Sequence, residues 1–323
     1  MIHVVTLFAQ NYMSRGLAML ESVQKYSSRP LRFTVLAMDG ETQSFLESSN
    51  IPNLDIISLN EFQDPEFRKL VGSRPFRELC WTAASCLTSF VFKIDTESEF
   101  IVYVDSDCYF FSDIANLCTN WSPDSNIFVH EHRYSPGRLK WEATAGRFNV
   151  GVVGFRGKSK AAENCLARWR QQVIDVCELN PDLGLCGDQG YLNEWPDLYP
   201  GLHIMTSPGE GAAPWNIEDR NATRMSSQVL ISGENLIFYH FHALKMSYNL
   251  RVWILITHLA FGYTIPKSVK KFVYRPYLRH LHAVNKRLTK QGLNISSIGL
   301  TEVGVRGILD GRNPGQRIIQ LLT

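Results

Sequence analysis

Two aspartates separated by one residue follow the most apolar strand that the sequence predicts. Phe100–Val104 is continuously hydrophobic, as expected for a strand buried on both faces, and Asp105 and Asp107 come directly after it. In an open α/β sheet the carboxyl ends of the strands border the ligand crevice, so both carboxylates would project into it. Two carboxylates this close repel each other, and a shared divalent cation would remove the repulsion and bridge to a diphosphate. An isolated Asp-x-Asp pair can also be a simple turn that caps a following helix.

Two histidines late in the chain are candidates to complete such a metal site. His240 and His242 are two residues apart, which places them on one face of a strand, and either could add an imidazole ligand. Carboxylate oxygens together with an imidazole suit Mn²⁺ better than Ca²⁺, and Mg²⁺ is an alternative. The competing interpretation is that both are ordinary half-buried strand histidines. The residues alone leave the choice between the two open.

Three more positions could contact a ligand at the same edge of the sheet. Asn149 begins a predicted strand in which Gly151 would permit close approach of a ligand to the backbone. Asp188 and Gln189 follow a glycine at a predicted helix start, where Asp188 could instead be a plain N-cap. Trp215 lies in a loop rich in Gly and Pro and could stack on a sugar or a base, or simply pack its own loop.

The elements that must position these residues alternate between strands and helices. We predict strands at 1–8, 31–38, 55–59, 100–104, 126–130, 148–155, 202–205 and 237–241. We predict helices at 14–26, 42–48, 79–93, 160–179 and 188–195. This alternation predicts a mostly parallel, doubly wound sheet. The polar loop at 131–147 is a candidate flap.

The order of these motifs resembles the nucleotide-sugar glycosyltransferases of the GT-A fold, most closely the glycosyltransferase family 8-like group. The resemblance implies a nucleotide-diphosphate sugar donor and a Mn²⁺ or Mg²⁺ ion held by Asp105, Asp107 and one histidine. In that group a His-aromatic pair late in the domain is a metal ligand, and His240-Phe241 matches it. A lysine shortly afterwards contacts the pyrophosphate, and Lys245 matches that lysine.

The resemblance also implies the residues that bind the donor. Asn149 would hydrogen-bond the donor sugar, and Asp188 with Gln189 would reach it near the anomeric carbon as the catalytic pair. If Asp188 instead faced an acceptor hydroxyl it could deprotonate it, which would give inversion. The resemblance favours retention. Asn11 and Tyr12 match the Asn-Tyr pair that follows the first strand and would contact the nucleotide.

The chain departs from the family pattern at three points. Ala9 and Gln10 stand where members carry acidic residues, so a usual partner of uracil is missing, although a UDP-sugar remains the first expectation. Lys245 lies five residues after His240, whereas the family lysine lies six after. The helix predicted at 79–93 lacks the base that would touch the donor. The nearby alternatives are Arg74, Arg77 and Lys93.

Composition indicates an ordinary soluble globular protein. The chain has 323 residues, of which 20% are charged and 45% hydrophobic, which suits one α/β domain with an appended segment. The N-terminal residues lack a basic leader, so we expect no signal peptide, and no apolar run is long enough to span a bilayer. Seven cysteines without a Cys-x-x-Cys pair suit reduced thiols, so we expect a cytoplasmic protein.

The C-terminal part of the chain is strongly basic. We divide the chain into a GT-A domain at residues 1–245 and a basic, partly helical C-terminal extension at 246–323, with a basic amphipathic helix predicted at 269–290. Residues 243–301 contain no Asp or Glu. Their cations are Lys245, Arg251, Lys267, Lys270, Lys271, Arg275, Arg279, Lys286, Arg287 and Lys290. These could bind an anionic membrane surface or balance acidic parts of the fold; no nucleic-acid motif accompanies them.

Our hypothesis is a metal-dependent hexosyltransferase that moves a sugar from a nucleotide-diphosphate donor to a glycan or lipid-linked glycan acceptor. Such a reaction would serve cell-surface polysaccharide or lipopolysaccharide assembly, in the cytoplasm or peripherally at the inner face of the membrane. Two alternatives remain. A nucleotidyltransferase of similar fold would need a Gly-rich basic loop after the first strand, which the sequence lacks. A degenerate GT-A domain could be a sugar- or membrane-binding scaffold.

Overall fold

A computed structural model describes most of the chain and all of its central sheet. The described residues are 1–119, 121–122, 124–180, 182, 184–249, 252–256, 261–293, 300–301 and 318–320. At 119, 245–249, 252–256, 300–301 and 318–320 only the backbone is described. Most of the predicted extension beyond residue 292 therefore lies outside the described residues.

The strands and helices of the described residues have the following bounds. The strands are β1 Ile2–Phe8, β2 Leu31–Ala37, β3 Leu54–Ser58, β4 Phe100–Val104, β5 Cys108–Phe110, β6 Ile127–Glu131, β7 Phe148–Arg156, β8 Leu179–Asn180, β9 Leu185–Cys186, β10 Leu202–Met205, β11 Glu210–Ala212, β12 Ala222–Met225, β13 Gln228–Ile231, β14 Glu234–Asn235, β15 Phe238–His240, β16 Lys245–Asn249, β17 Val252–Ile256, β18 Leu300–Thr301 and β19 Ile318–Gln320. The helices are α1 Met13–Tyr26, α2 Gly40–Glu47, α3 Pro65–Leu70, α4 Phe76–Ile94, α5 Asn116–Thr119, α6 Glu142–Ala145, α7 Lys160–Asp175, α8 Trp195–Leu198, α9 Lys267–Val269 and α10 Arg275–Lys290.

Seven strands form the central sheet in the order β10-β6-β7-β4-β1-β2-β3. β1 pairs in parallel with β2 and β4, and only β7 runs against its neighbours β4 and β6. The prediction of a mostly parallel α/β sheet is confirmed. Because β1, β2 and β4 run the same way, the loops that follow them meet at one edge of the sheet, which is where ligands bind in open α/β folds.

Both faces of the sheet are covered, which explains why its central strands are apolar throughout. All residues of β1 and β4 are buried. Alternate side chains enter two separate cores: Val4 and Val102 pack in the core beneath α1 and α10, whereas Val5 and Ile101 pack in the core beneath α4 and α7. A strand that is buried on both faces cannot show the polar alternation of a half-exposed strand.

Most predicted elements are present with bounds shifted by at most three residues, and three segments differ further in extent or kind. The helix predicted at 160–179 ends at Asp175, and 188–195 is mainly a 3₁₀ segment, Gln189–Glu194. The loop predicted at 131–147 contains a 3₁₀ segment, Pro136–Trp141, followed by α6. Propensity and periodicity do not resolve such short segments, because tertiary contacts decide whether single turns form.

The basic helix predicted at 269–290 is present as α10, preceded by a π-helical turn. Its apolar face packs on α1, where Glu21 accepts hydrogen bonds from His280 and Arg287. The domain boundary at residue 245 stays a prediction. Within the described ranges, no helix is both long and apolar enough to cross a bilayer.

A buried carboxylate ties the sheet to the loop that enters β4. Asp95 accepts the N–H groups of Glu97 and Ser98 and the Ser98 hydroxyl, and its Oδ2 lies 2.5 Å from Nδ1 of His3. The other ring nitrogen of His3 lies 2.8 Å from the Thr34 hydroxyl. Burial alone would raise the pKa of Asp95, but these hydrogen bonds hold that pKa well below its usual range. This network joins β1, β2 and the loop that enters β4.

Asp95→Ala should lower the free energy of unfolding by about 3 kcal/mol, because it leaves several buried donors without an acceptor. Urea denaturation followed by circular dichroism measures the loss. The matched control is Asp55→Ala, which removes a half-exposed carboxylate paired with Arg32 and should cost at most about 1 kcal/mol. Equal losses in the two variants would contradict the role assigned to Asp95.

Candidate functional site

Asp105, Asp107 and His240 converge where β4 ends. One ligand atom from each lies within 4.8 Å of those of the other two. The backbone fixes this arrangement: Asp105 N–H donates to the Gly151 carbonyl at 2.8 Å, and Phe241 N–H donates to the Asp107 carbonyl at 2.9 Å. The antiparallel pairing of β5 with β15 sets His240 opposite Cys108, one residue after Asp107. Residues far apart in the sequence thus form one cluster.

The imidazole of His240 is oriented by Asn149. Nδ1 of His240 donates to Asn149 Oδ1 at 3.0 Å, so Nε2 is the nitrogen directed at the carboxylates. Nε2 lies 3.0 Å from Asp107 Oδ1 and 3.8 Å from Asp105 Oδ2. A hydrogen bond to the second nitrogen is how proteins hold a metal-binding histidine in the correct tautomer. His242, by contrast, is not part of the three-residue cluster.

Gly151 leaves room for this contact. A Cβ at position 151 would lie 2.6 Å from both Asn149 Oδ1 and His240 Nδ1. The N–H of Gly151 also donates to Asn149 Oδ1 at 3.0 Å, which holds the amide in place. The glycine is therefore required for the contact between the two side chains. The sequence pattern had suggested a different reason, close approach of a ligand.

The charges of the cluster fit a divalent cation. Burial alone would raise the pKa of Asp107, but His240 beside it lowers that pKa to about 2. Burial and the neighbouring Asp107 charge raise the pKa of Asp105. Burial would lower the pKa of His240, yet the charge of Asp107 and its hydrogen bond raise it. Two oxygen ligands with one imidazole suit Mn²⁺ or Mg²⁺, and such an ion would take the place of the proton on Nε2.

A hydrogen-bonded chain continues from the cluster to Gln189. Asn149 Nδ2 donates to Gln189 Oε1 at 3.0 Å, and Gln189 Nε2 donates to the Ala145 carbonyl at 2.9 Å. The turn before it depends on Gly187, which has φ +59° and packs closely against Trp81. The predicted ligand-binding residues Asn149 and Gln189 are therefore in direct contact.

Asp188 lies beside this chain with 5% of its surface exposed. Trp169 donates its indole N–H to the Asp188 carbonyl at 3.0 Å, which fixes the backbone. Burial, followed by the charge of Asp105, raises the pKa of the Asp188 carboxyl well above its usual value. A carboxyl of raised pKa is a stronger base when ionised, and it donates a hydrogen bond when protonated.

Trp215 packs against the rings of His240 and His242. It is 4% exposed, and its indole N–H donates to the His132 carbonyl at 3.0 Å. Its ring meets that of His240 edge-to-face at 5.4 Å between centroids, and that of His242 at 5.6 Å. This indole supports the two histidines. Its contact with a donor stays a prediction.

Arg15 is a residue that the sequence analysis missed. It is 3% exposed, and its guanidinium donates to the carbonyls of Asn11 at 3.2 Å and Leu244 at 3.0 Å. It also lies 4.7 Å from the Tyr12 ring centroid. Arg15 thus joins the predicted nucleotide loop to the segment that follows His240. The sequence offered one signal, since Arg15 is the only charged residue between 13 and 20. The structure shows that this whole stretch is buried.

The remaining predicted positions are distributed around the cluster. Asn11 is exposed and Tyr12 half-buried in the loop after β1. Lys245 begins β16, and its side chain lies outside the described residues. Of the three basic alternatives, Arg74 precedes α4 and donates to the carbonyls of Val173 and Ile174. The other two, Arg77 and Lys93, are exposed.

Comparison with curated proteins finds two relatives in Bacillus subtilis strain 168, and no protein-family model matches the chain. The chain is 29% identical to the uncharacterized protein YfnD over 286 residues, which cover 86% of this chain and 88% of YfnD. It is 25% identical to the uncharacterized protein YfnF over 248 residues, which cover 75% and 81% of the two chains.

Two solved glycosyltransferase structures share the architecture of this chain. The galactosyltransferase LgtC, solved with donor and acceptor sugar analogues, aligns with a TM-score of 0.50 at 12% identity over 87% of this chain and 95% of that one. The glycosyltransferase GlyE of Streptococcus pneumoniae TIGR4, without ligand, aligns with a TM-score of 0.51 at 14% identity, covering 90% of this chain and 63% of that one. The chain therefore has the GT-A fold.

Gly151→Ala should weaken Mn²⁺ binding by about tenfold, because the added methyl group pushes Asn149 away from His240 and releases the imidazole. Titration calorimetry with Mn²⁺ alone measures this. The control is Gly137→Ala, where a Cβ meets nothing within 4 Å. If Gly151→Ala binds Mn²⁺ as tightly as Gly137→Ala does, orientation of His240 by Asn149 is not needed for metal binding.

Proposed function

We propose that this chain is a metal-dependent glycosyltransferase of the family 8-like group. It would transfer a hexose from a nucleotide-diphosphate donor, a UDP-sugar first, to a glycan or lipid-linked glycan acceptor in cell-surface polysaccharide or lipopolysaccharide assembly. The observation that carries the proposal is the hydrogen-bonded chain from His240 through Asn149 to Gln189. It joins a cation site to amide and carboxyl side chains near the carboxyl end of β4. A sugar diphosphate would need both, the cation for its diphosphate and the polar side chains for its sugar. The GT-A fold agrees with this assignment.

The predicted residues divide into a metal-binding set and a donor-binding set, and Gly151 would admit the donor close to the backbone of β7. Asp105, Asp107 and His240 would hold Mn²⁺ or Mg²⁺, which when bound neutralises the negative charge that develops on a departing diphosphate. The side chain of Lys245 would add a second positive charge there. Asn11 and Tyr12 would contact the nucleoside, and Trp215 would keep the two histidines in position and border the donor.

Asn149, Asp188 and Gln189 would hold the donor sugar. Asp188 is almost fully buried, which favours a role in binding the donor over one in deprotonating an acceptor hydroxyl. We therefore propose transfer with retention of configuration. Gln189, with one side-chain group bound to Asn149 and the other to a backbone carbonyl, is held rigidly at the same place.

The purified protein should be stabilised by one nucleotide sugar in the presence of Mn²⁺ and should slowly hydrolyse it. UDP-, GDP-, dTDP- and CMP-sugars, each with and without Mn²⁺, are tested by thermal shift and by release of the nucleotide. The assay is run near pH 8, because the raised pKa of His240 makes protons compete with the metal as the pH falls.

Asp107→Ala should reduce this hydrolysis at least about a hundredfold while the protein stays folded, because a metal ligand is lost. Asp197→Ala, which removes an exposed carboxylate on α8, is the control and should retain activity. Full activity of Asp107→Ala would exclude the assigned metal site. If no donor stabilises the wild-type protein, a non-catalytic scaffold becomes the better description.

We further propose that the protein is cytoplasmic and binds the inner face of the membrane through α10. Arg275, Arg279, Lys286 and Lys290 are exposed, and at 3.6 residues per turn they lie within an arc of about 60°. This arc is opposite the buried face of α10, and no acidic residue lies on the helix to neutralise it. Each such cation contributes roughly 1 kcal/mol of attraction to an anionic leaflet.

The protein should co-sediment with phosphatidylcholine vesicles that contain phosphatidylglycerol, but not with phosphatidylcholine alone. Changing the four α10 cations to Gln should reduce the bound fraction at least about tenfold at about 0.1 M salt. A matched variant changes four exposed cations elsewhere, Arg68, Lys69, Lys93 and Lys158, and should bind as the wild type does. Equal loss in both variants would show that net charge alone, and not this face, attracts the protein.

A further inference from the structure

A group of partly exposed apolar side chains lies next to the metal cluster and has no role in the site described so far. We call Leu139, Trp141 and Phe261 the aromatic rim. Leu139 is 59% exposed and Phe261 36%. The Trp141 and Phe261 rings are in edge contact at 6.0 Å between centroids. Large apolar side chains that stay exposed together commonly mark a ligand-binding surface.

Ring contacts connect the rim to the metal ligand. The ring of His242 lies 5.3 Å from that of Phe261 and 5.9 Å from that of His240, between centroids. His242 is itself only half-buried. The rim therefore continues the surface that begins at the cation site, with one imidazole between them.

The rim also continues into the proposed pocket for the donor sugar. Trp141 ends a 3₁₀ segment that leads directly into α6, and the last residue of α6 is Ala145. The Ala145 carbonyl is the acceptor for Gln189 Nε2. The same short stretch of chain thus contacts the sugar pocket at one end and forms the rim at the other. A group bound on the rim would lie beside the transferred sugar.

Arg138 holds the rim in place before any ligand binds. Its guanidinium pairs with both carboxylate oxygens of Glu218, donates to the carbonyls of Phe261 and Gly262, and lies 4.8 Å from the Trp141 ring centroid. Glu218 in turn accepts the N–H of Thr264 at 2.7 Å. The two rings are partly exposed and their backbone is fixed, so they present a preformed surface.

We propose that the aromatic rim binds a saccharide unit of the acceptor, stacked on Phe261 and Trp141. This inference rests on the proposed glycosyltransferase function and specifies its second substrate as a sugar ring. One face of a pyranose presents C–H groups, and these are attracted to the electron-rich face of an aromatic ring. The polar neighbours His242, Arg138 and Glu218 interrupt the apolar surface, as suits a ring with hydroxyl groups and not a continuous alkyl chain.

Saturation-transfer NMR with the full chain tests the inference directly, without turnover. The probes are methyl and octyl β-glycosides of glucose, galactose, mannose and N-acetylglucosamine. The wild type should bind at least one methyl glycoside through its ring protons. Phe261→Ala should weaken that binding at least about fivefold. Leu198→Ala, which shortens an exposed leucine outside the rim, should bind as the wild type does.

Phe261→Leu and Leu139→Ser keep the experiment decisive if Phe261→Ala does not fold. Phe261→Leu retains apolar bulk without a ring, so it should still lose the methyl glycoside, whereas Leu139→Ser should lose little. Binding of methyl glycosides that is unchanged in Phe261→Leu would overturn the proposal. So would a wild-type protein that binds no glycoside, or binds only through the octyl chain.

Donor hydrolysis by the wild type separates this inference from the function on which it rests. A wild type that hydrolyses a donor but binds no glycoside refutes only the rim. A wild type that binds glycosides but no nucleotide sugar refutes the transferase assignment and leaves the rim as a sugar site.

Discussion

The site depends on the side-chain amide of Asn149, which uses its two ends for two different tasks. Its oxygen accepts hydrogen bonds from His240 Nδ1 and from the Gly151 N–H, and its nitrogen donates to Gln189. The oxygen end sets the tautomer of the imidazole, and the nitrogen end sets the position of the glutamine. A carboxylate of the same shape could satisfy the histidine but could not donate to Gln189. Only an amide links the cation cluster to the pocket beside it.

The sheet supplies the geometry on which that amide depends. Asn149 and Gly151 lie on β7, the one strand of the central sheet that runs against its neighbours, so the start of β7 meets the end of β4. Antiparallel pairing of β5 with β15 then brings His240 back to the two aspartates. Each ligand is held by a strand end and not by a long loop, which limits the motion available to the cluster. Rigid positioning of this kind is what a preorganised binding site requires.

Much of this arrangement could be predicted from the sequence because a few positions have unusual chemistry for their context. The strand at Phe100–Val104 was predicted with its observed bounds, since a continuous apolar run followed by two charges has few alternatives. Asp105, Asp107 and His240 do come together in space. Each motif alone is a weak signal, because it has a simple structural explanation. The order of the motifs along the chain made the prediction possible, because that order resembles the one in GT-A glycosyltransferases.

Other features could not be found from the sequence because they depend on contacts between distant residues. The sequence marks Arg15 as a lone charge between residues 13 and 20, but it does not reveal its partners, because backbone carbonyls have no sequence signature. The loop proposed as a flap is held by Arg138, whose partner Glu218 is 80 residues away. Gly151 was noted for a sound general reason, backbone access, but the atoms it accommodates belong to side chains of the protein itself.

Helix α10 has cations on one side and Tyr277 on the other, and Tyr277 stacks on Phe241, the residue after His240, at 3.7 Å between ring centroids. Helix α10 therefore packs against the segment that carries the cation cluster. If docking of α10 and occupancy of the cluster are coupled through this contact, each would strengthen the other by the same factor, because such coupling is reciprocal. A surface that holds α10 in place would tighten ligand binding at the cluster, and a bound ligand would hold the helix ready for that surface.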